Sequence, residues 1–383
     1  MTVGEVHDVI VIGAGAIGLA AAWRLADDGH DVVVCDPTPG RAATHASAGM
    51  IAPVSEAHFG EENLQRLNLA GAARWPGFSA ELAQAAGQPS GYRRTGALAV
   101  AFDADDKREL DRLHEHQIKA DLPVERLTVA ACRSRAPALS PRLRGGLWIE
   151  GDHQADNRQM ARALLAALGR LGVRVQRESV TSVATAGGRV AGVVLADGRR
   201  LHASRVVLAA GAWSARIEGL PPSAVPPVRP VKGQILRLQG PADEPALTTC
   251  VRALVRGHSL YLVPRPDGRV VVGATQEELG FDTTVTAEGV HELLRDMIDL
   301  CPGLAELELV ETMAGLRPGT PDNGPAVGRT EVDGLLVATG HFRHGILLTP
   351  ITADAVADLV ADRAVPDEMA PFGPDRFAVG ARS

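Results

Sequence analysis

The sequence predicts an α/β fold in two parts, a nucleotide-binding domain and an α+β domain with a mainly antiparallel sheet. Two observations predict it. Residues 8–36 read as a strand, a glycine-rich turn, a helix and a second strand. Residues 231–274 hold short β-branched segments at close spacing, which is typical of an antiparallel sheet. A chain of 383 residues exceeds one typical core, so two domains are expected.

The first strand–helix–strand unit carries a Rossmann-like fingerprint. Gly13, Gly15 and Gly18 follow the strand in GxGxxG spacing. The first permits a tight turn, the second lets a pyrophosphate approach the backbone, and the third lets the helix pack on the strand. Asp36 ends the second strand, where an acid can accept hydrogen bonds from a ribose. An ordinary βαβ turn is the alternative, and the motif alone does not separate FAD from NAD.

The nucleotide-binding domain is predicted to be discontinuous, because a buried strand recurs near residue 208, far from the first unit. Helices are expected at 61–86, 156–172 and 351–361, with Thr349 as the N-cap and Pro350 as the first residue of the last one. Strands are expected at 173–176, within a meander at 180–208, and at 335–339. The domain is therefore assigned residues 1–83, 147–226 and 308–383.

The second domain is assigned residues 84–146 and 227–307. Its predicted strands are 92–102, 231–238, 252–256, 259–263 and 270–274, and its predicted helices are 105–117 and 287–300. Such a sheet is a natural wall for a substrate.

Charge and cysteine content exclude several classes of function. The net charge is −7 and no Lys/Arg-rich block occurs, which argues against nucleic acid and anionic membranes as partners. The four cysteines are scattered without a CxxC pair, so neither a metal site nor a disulfide framework is expected. Residues 1–8 hold no Lys or Arg, and glycines break the apolar run that follows, so a signal peptide is not predicted. A cytoplasmic protein is expected.

Two further segments point to a ligand. Residues 40–55 are small and flexible, and suit either a loop against a ligand or a surface loop. Arg317 precedes Pro318, so its backbone is expected to be extended. A guanidinium meets a planar carboxylate with two hydrogen bonds, although a surface charge is the ordinary role of an arginine.

Seven motifs carry a resemblance that runs nearly end to end: VIVIGAGAIGLAAAWRL, THASAGMIAP, VVLAAGAWS, RPVKGQILRL, SLYLVPRPDGRVVVGAT, AGLRPGTPDNGPAVG and GHFRHGILLTP. The sequence resembles the flavin amine oxidases of the D-amino acid oxidase superfamily, and within them the glycine oxidases of thiamine biosynthesis. The resemblance implies FAD as the cofactor.

The resemblance also implies which residues contact FAD. The residues expected to contact the ADP half of FAD are Gly13, Gly15, Ala16, Ile17, Gly18 and Asp36, with Val180 at the adenine. Those for the pyrophosphate and the ring are Ala43, Thr44, Ala48, Gly49 and Met50, with Gly211 as a further contact. Those beside the isoalloxazine are His341, Phe342, Arg343, His344, Gly345, Ile346 and Leu347.

For the substrate, the resemblance implies that Arg317 binds the carboxylate, that Tyr261 shares it, and that Arg343 lies near both substrate and flavin. Gln276 stands where a similar enzyme carries an apolar residue, which changes the roof of the pocket. No acid or base is assigned, because hydride transfer requires none. His341 and His344 are expected to serve packing and flavin contact.

The expected reaction is oxidative deamination of glycine, and of sarcosine or small D-amino acids, by hydride transfer to FAD. O2 then accepts the electrons and yields hydrogen peroxide. FAD is expected to be non-covalent, because His45 is displaced from the position at which relatives attach it, and no cysteine lies near Arg317. The alternatives are a dehydrogenase that uses a carrier and a flavoprotein kept for binding. A homo-oligomer, as a tetramer, is expected from the family.

Overall fold

The computed structural model describes residues 6–377. The strands of these residues are β1 Val6–Ile12, β2 Val32–Cys35, β3 Met50–Ile51, β4 Tyr92–Arg93, β5 Ala97–Ala101, β6 Glu125–Leu127, β7 Gly145–Ile149, β8 His153–Ala155, β9 Arg174–Gln176, β10 Val180–Ala186, β11 Arg189–Leu195, β12 Arg200–Leu208, β13 Arg229–Gln239, β14 Cys250–Val255, β15 His258–Pro264, β16 Arg269–Gly273, β17 Glu308–Gly319, β18 Ala326–Arg329 and β19 Leu335–Thr339.

The α-helices of the same residues are α1 Ala16–Asp27, α2 Ala43–Ala46, α3 Glu62–Ala86, α4 Ala104–Lys119, α5 Val129–Arg135, α6 Asn157–Arg170, α7 Ala287–Leu300 and α8 Thr349–Val360. None of these helices combines the length and the hydrophobicity that crossing a bilayer requires.

The first sheet has a parallel centre in the order β9-β2-β1-β12-β19, and the antiparallel strands β10 and β11 extend it beyond β12. Alternate residues of β1 face opposite sides, as a strand requires. Val9 and Val11 pack with α1, α3, α6 and α8, whereas Ile10 and Ile12 pack against the β10–β12 meander. This arrangement confirms the predicted α/β fold, and it exposes the carboxyl ends of the parallel strands to a ligand.

The second sheet has the order β17-β13-β16-β15-β14-β5-β7-β6, and every pair but β14–β5 is antiparallel. Its mainly antiparallel character is as predicted. One of its faces forms a core with α5 and α7. A small third sheet, β3-β8-β4, ties residues 50–51 to the segment that precedes α6.

The sheet pairing bears on the predicted domain boundaries. The boundary at 147 falls inside β7, and the boundary at 308 falls at the start of β17, yet both strands belong to the second sheet. Strand pairing would move these boundaries to about 150 and 320, so the division between the domains stays a proposal.

Two local predictions were wrong. The single strand expected at 92–102 is two strands, β4 and β5, in different sheets, because Gly96 has a positive φ of 64° and turns the chain between them. Helix α8 begins at Thr349 with Leu348 as its N-cap, so Thr349 and Pro350 each lie one position further into the helix than predicted. The Thr349 hydroxyl donates instead to the carbonyl of Gly345, at 2.7 Å.

Candidate active site

One cavity of about 910 Å³ is lined by residues of both large sheets. It brings together every predicted site residue except Gly18, His344 and Leu347. We call its two parts the nucleotide side, lined by Gly13, Gly15, Asp36, Thr44 and Gly49, and the substrate side, lined by Glu56, Arg252, Tyr261, Arg317 and Arg343.

The glycine turn after β1 depends on close backbone packing. Gly13 has a φ of +104°, and a Cβ at this position would overlap the carbonyl oxygen of Ala209, whose carbonyl carbon would be 2.8 Å away. A Cβ at Gly18 would overlap the carbonyl oxygen of Gly13. Gly18 therefore serves the packing of α1 on the turn and does not line the cavity.

The N-terminus of α1 opens into the cavity. Gly15 is its N-cap and has no side chain with which to cap the helix. The amide of Ala16 donates to Thr44 Oγ1 at 2.8 Å, which ties the helix start to the following loop. The other amides of the first turn have no partner within the helix, and together with the positive end of the helix dipole they favour a phosphate group.

Asp36 lies where the fingerprint requires an acid. Its Oδ2 accepts the amide of Ala14 at 2.7 Å, and its Oδ1 accepts the amide of Thr38 at 2.7 Å. A carboxylate has about four acceptor positions, so acceptors remain for ribose hydroxyls on the cavity side. The carboxylate thereby fixes the turn and can still bind a ligand.

The loop of residues 43–50 forms the next part of the wall, through the short helix α2 and strand β3. Gly49 has a φ of +75°, and a Cβ there would overlap the carbonyl oxygen of Ala155. The loop therefore packs directly on the backbone before α6, which leaves room for a ligand on its other side.

Three arginines donate hydrogen bonds to carbonyls of this loop, and we call them the loop-holding arginines: Arg158, Arg237 and Arg265. Their side chains are buried or half-buried. Arg265 Nη2 donates to the carbonyl of Ala48 at 2.6 Å. Arg237 Nη2 and Arg158 Nε donate to the carbonyl of His45 at 3.1 and 3.2 Å. Since the C=O and N–H of a trans peptide point in opposite directions, the amides that follow these carbonyls face away from the arginines. The amide of Ala46 donates to the carbonyl of Ala42 at 3.3 Å, within the loop itself.

The charge of these arginines is balanced by two acids. Glu311 Oε2 lies 2.8 Å from Arg158 Nη2 and 3.2 Å from Arg237 Nε. Burial, and then the neighbouring guanidinium of Arg158, lower the pKa of Arg237 to about 10, so it stays charged at neutral pH. Asp156, the N-cap of α6, lies 3.8 Å from Arg265 Nε. Sequence reasoning missed these residues; the only signal was an arginine within the apolar strand QILRL.

On the substrate side, Arg317 lies in β17, opposite Val231 of β13. Its Nη1 donates to the carbonyl of Thr275 at 3.2 Å and to that of Lys232 at 3.5 Å. These neutral acceptors hold the guanidinium in place without cancelling its charge. Arg317 therefore lines the cavity without an acidic partner among the described residues.

Tyr261 of β15 lies beside this guanidinium. Burial raises the pKa of the phenol, and the charge of Arg317 only partly offsets that effect. The hydroxyl is therefore protonated at neutral pH and can donate a hydrogen bond. Arg317 and Tyr261 therefore place a guanidinium and a phenol hydroxyl side by side on the cavity wall.

Two further arginines on the substrate side have acidic partners. Arg252 forms a close ion pair with Glu56, and Arg343 Nη2 lies 3.1 Å from Oε2 of Glu61. Burial alone would raise the pKa of Glu56, but the charges around it, led by Arg252, leave its pKa below the ordinary value. Sequence reasoning did not identify Glu56, Glu61 or Arg252, because ion pairs between remote segments leave no local pattern.

The two histidines after β19 are buried. Burial lowers the pKa of His341 to about 3, and its Nε2 lies 3.0 Å from the hydroxyl of Thr352. Burial lowers the pKa of His344 to about 4; its Nδ1 lies 3.3 Å from Glu56 Oε2, outside the cavity wall. Leu347 also lies behind the wall, where its carbonyl accepts from Trp75 Nε1 at 3.0 Å.

The remaining predicted residue, Gln276, lines the cavity and is exposed. It lies in the loop between β16 and α7, which contacts the segment after β12 through Phe281. The Phe281 ring lies 5.8 Å from the ring of Trp213, and Arg216 Cζ lies 3.6 Å from its centroid. Trp213 and Arg216 both line the cavity, so this aromatic contact joins the β16–α7 loop to the segment after β12 at the cavity wall.

The DAO family model, described as FAD dependent oxidoreductase, matches residues 8–359. The chain is 35% identical over 373 residues to the bifunctional protein ThiO/ThiG of Trichormus variabilis, covering 97% of this chain and 55% of that protein. It is 34% identical over 370 residues to the glycine oxidase of Geobacillus kaustophilus, covering 96% of both.

Solved structures agree with these sequence comparisons. The crystal structure of the Geobacillus kaustophilus glycine oxidase matches with a TM-score of 0.89 at 33% identity, covering 98% of this chain and 100% of that one. Iminodiacetate oxidase from Chelativorans sp. matches with a TM-score of 0.86 at 31% identity, covering 96% and 98%. The chain spans about half the length of the bifunctional relatives it matches.

Proposed function

The chain belongs to the DAO family of FAD dependent oxidoreductases, and we propose that it oxidises glycine, with sarcosine and small D-amino acids as further substrates. The products are the imine, which hydrolyses to the oxo acid and ammonia, and hydrogen peroxide from O2. One observation carries this proposal. A single cavity joins a glycine-lined nucleotide side to the Arg317–Tyr261 pair, which suits one carboxylate.

The nucleotide side fits FAD, the cofactor of the family. The overlaps that a Cβ would make at Gly13 and Gly49, and the open N-terminus of α1, describe a wall of bare backbone. Asp36 and Val180 would hold the adenosine, and Gly15, Ala16 and Thr44 the pyrophosphate. When bound, FAD supplies the two-electron acceptor of the reaction.

The chain's own residues bind and orient the substrate in this proposal. Arg317 and Tyr261 take its carboxylate, which fixes the Cα–H bond and the amine relative to the cofactor. A histidine with a pKa of about 3 or 4 is neutral at pH 7 and a poor proton acceptor. The low pKa values of His341 and His344 therefore support a reaction that needs no side-chain base.

Non-covalent attachment of FAD is part of the proposal. The side chain of His45 is not among those that line the cavity, and the one cysteine that does, Cys35, is buried with its pKa raised to about 12 by burial. Acid precipitation of the holoprotein should leave the flavin in the supernatant. Flavin that stays with the pellet would contradict this.

The pathway, the cellular location and the oligomeric state are proposed from the family resemblance. The reaction would supply the glycine imine to thiamine thiazole synthesis, which the relative named ThiO/ThiG supports. The protein would be cytoplasmic, and it would assemble as a homo-oligomer, as a tetramer. A dehydrogenase that passes electrons to a carrier is the second candidate for the activity, because reactivity with O2 depends on the access and the local charge at the flavin.

The test is peroxide release by the purified holoprotein in air with glycine, sarcosine, D-alanine and D-proline. The proposal expects peroxide from glycine, with the highest kcat/KM of the four. Bleaching of the flavin by glycine without air, together with little peroxide in air, would instead identify the dehydrogenase. No bleaching by any of the four would overturn the substrate class.

A further inference from the structure

The ion pair of Arg252 and Glu56 lies next to the proposed carboxylate site. Arg252 is directly opposite Tyr261 in the register of β14 and β15, so the two side chains share one face of the sheet. Both residues of the pair line the same cavity as Arg317. Their side chains are 19% and 14% exposed, so the pair is largely withdrawn from water.

The arginines on this side differ in their partners. Arg252 is paired with Glu56 and Arg343 with Glu61, whereas the hydrogen-bond acceptors of Arg317 in the described residues are neutral carbonyls. One guanidinium of three is therefore available for a substrate carboxylate. The second and third are already neutralised by the protein itself.

We propose that Glu56 restricts the substrate to amines with a single carboxylate, by occupying Arg252, which would otherwise accept a second one. This inference rests on the proposed function, because it names the substrate class of the same site. A second carboxylate would meet the negative charge of Glu56 and would find Arg252 engaged. Since the pKa of Glu56 lies below its ordinary value, this negative charge is present at neutral pH.

Glu56→Gln tests the proposal, because it removes the charge and keeps the shape of the side chain. The substrates are a matched pair: sarcosine is N-methylglycine, and iminodiacetate is N-carboxymethylglycine, so they differ by one carboxylate. We expect the ratio of kcat/KM for iminodiacetate to that for sarcosine to rise at least tenfold in Glu56→Gln. The double variant Glu56→Gln/Arg252→Gln should lose that gain, because the freed guanidinium is its cause.

Two outcomes would overturn the proposal. One is an unchanged ratio in a Glu56→Gln protein that retains FAD. The other is an equal gain in the double variant, which would show that Arg252 plays no part.

A binding measurement keeps this inference separate from the proposed activity. Methoxyacetate and diglycolate are the oxygen analogues of the same two substrates and hold no amine to oxidise. Titrated against the flavin absorption of the wild-type holoprotein, diglycolate should bind at least tenfold more weakly than methoxyacetate. Tighter binding of diglycolate to the wild type would reject the proposal, even if Glu56→Gln did not fold. If no amine is oxidised, the proposed function fails and the binding comparison still stands.

Discussion

The two sides of the cavity are built from different materials. The nucleotide side consists mostly of backbone: glycines packed on carbonyls, a helix N-terminus that begins at a glycine, and a single acid. The substrate side consists of charged side chains from separate segments, balanced in pairs except at Arg317. The nucleotide side selects a ligand by its shape and leaves no room for added side-chain atoms. The substrate side selects a ligand through the charge that has no partner within the protein.

This difference predicts opposite responses to substitution. Added volume should damage the nucleotide side and leave the charges intact. Loss of charge should disable the substrate side while the cofactor stays bound.

The largest effect is expected from Gly49→Ala. The new Cβ would overlap the carbonyl oxygen of Ala155 at a backbone φ of +75°, so the variant should lose on the order of 5 kcal/mol of stability. It should elute from gel filtration without FAD and unfold at a lower temperature. A Gly49→Ala protein that stays yellow with an unchanged melting temperature would contradict a close-packed backbone wall.

Next in size is Arg317→Met on the substrate side. Losing the unpaired guanidinium should cost about 4 kcal/mol of substrate interaction, roughly a thousandfold in kcat/KM for glycine. FAD absorbance and melting temperature should stay near those of the wild type. The matched control is Arg112→Met, at an exposed arginine that pairs with Glu109 and lies over the ring of Phe59, away from the cavity, which should leave the kinetics unchanged. Equal kinetics in the two variants would remove Arg317 from the site.

A pH dependence should come from the junction of the two sides, where His341 is buried. Its folded pKa, about 3, lies below the ordinary value of 6.5, so its contribution to stability is complete above pH 6.5 and is lost as the pH falls. Between pH 6.5 and pH 4 this loss should reach about 3 kcal/mol. Urea unfolding across that range should show a shallower decline for His341→Asn. An equally steep decline would assign the acid sensitivity to other groups.

A smaller effect is expected where the β16–α7 loop contacts the segment after β12. Phe281→Leu removes an aromatic contact with Trp213 and Arg216, worth about 1 kcal/mol. FAD should dissociate several-fold faster from this variant in a dilution experiment, with the KM for glycine unchanged. A rise in KM with an unchanged rate of FAD dissociation would instead show that this contact supports substrate binding.

The smallest effect should be a gain, and it serves as the control for Gly49. Gly77 is exposed within α3, and a Cβ there would meet nothing within 4 Å. Gly77→Ala should therefore stabilise the protein by roughly 0.5–1 kcal/mol, because alanine favours a helix interior. Thermal unfolding of the holoprotein measures it. A loss of stability would mean that the glycine has a role beside Pro76.

The nucleotide side could be predicted from the sequence because its parts are neighbours in the chain. The fold class, the family and the position of Asp36 at the end of β2 are confirmed. Arg317 was a candidate from its place before Pro318, but only the family resemblance favoured a substrate role for it and identified Tyr261. Both roles stay predictions. Periodicity could not find the Arg252–Glu56 pair, whose members are 196 positions apart. It also missed β17, whose alternation of polar and apolar residues is weak.

The loop-holding arginines have a consequence for the modularity of this protein. Arg237 lies in β13 and Arg265 directly follows β15, so both belong to the second sheet or its turns. Both nevertheless bind carbonyls of a loop on the nucleotide side. An exchange of the second sheet with that of a relative would therefore remove two of the three supports of the loop. A functional chimera would have to keep both arginines together with Glu311. The loop and the second sheet are therefore expected to change together in evolution.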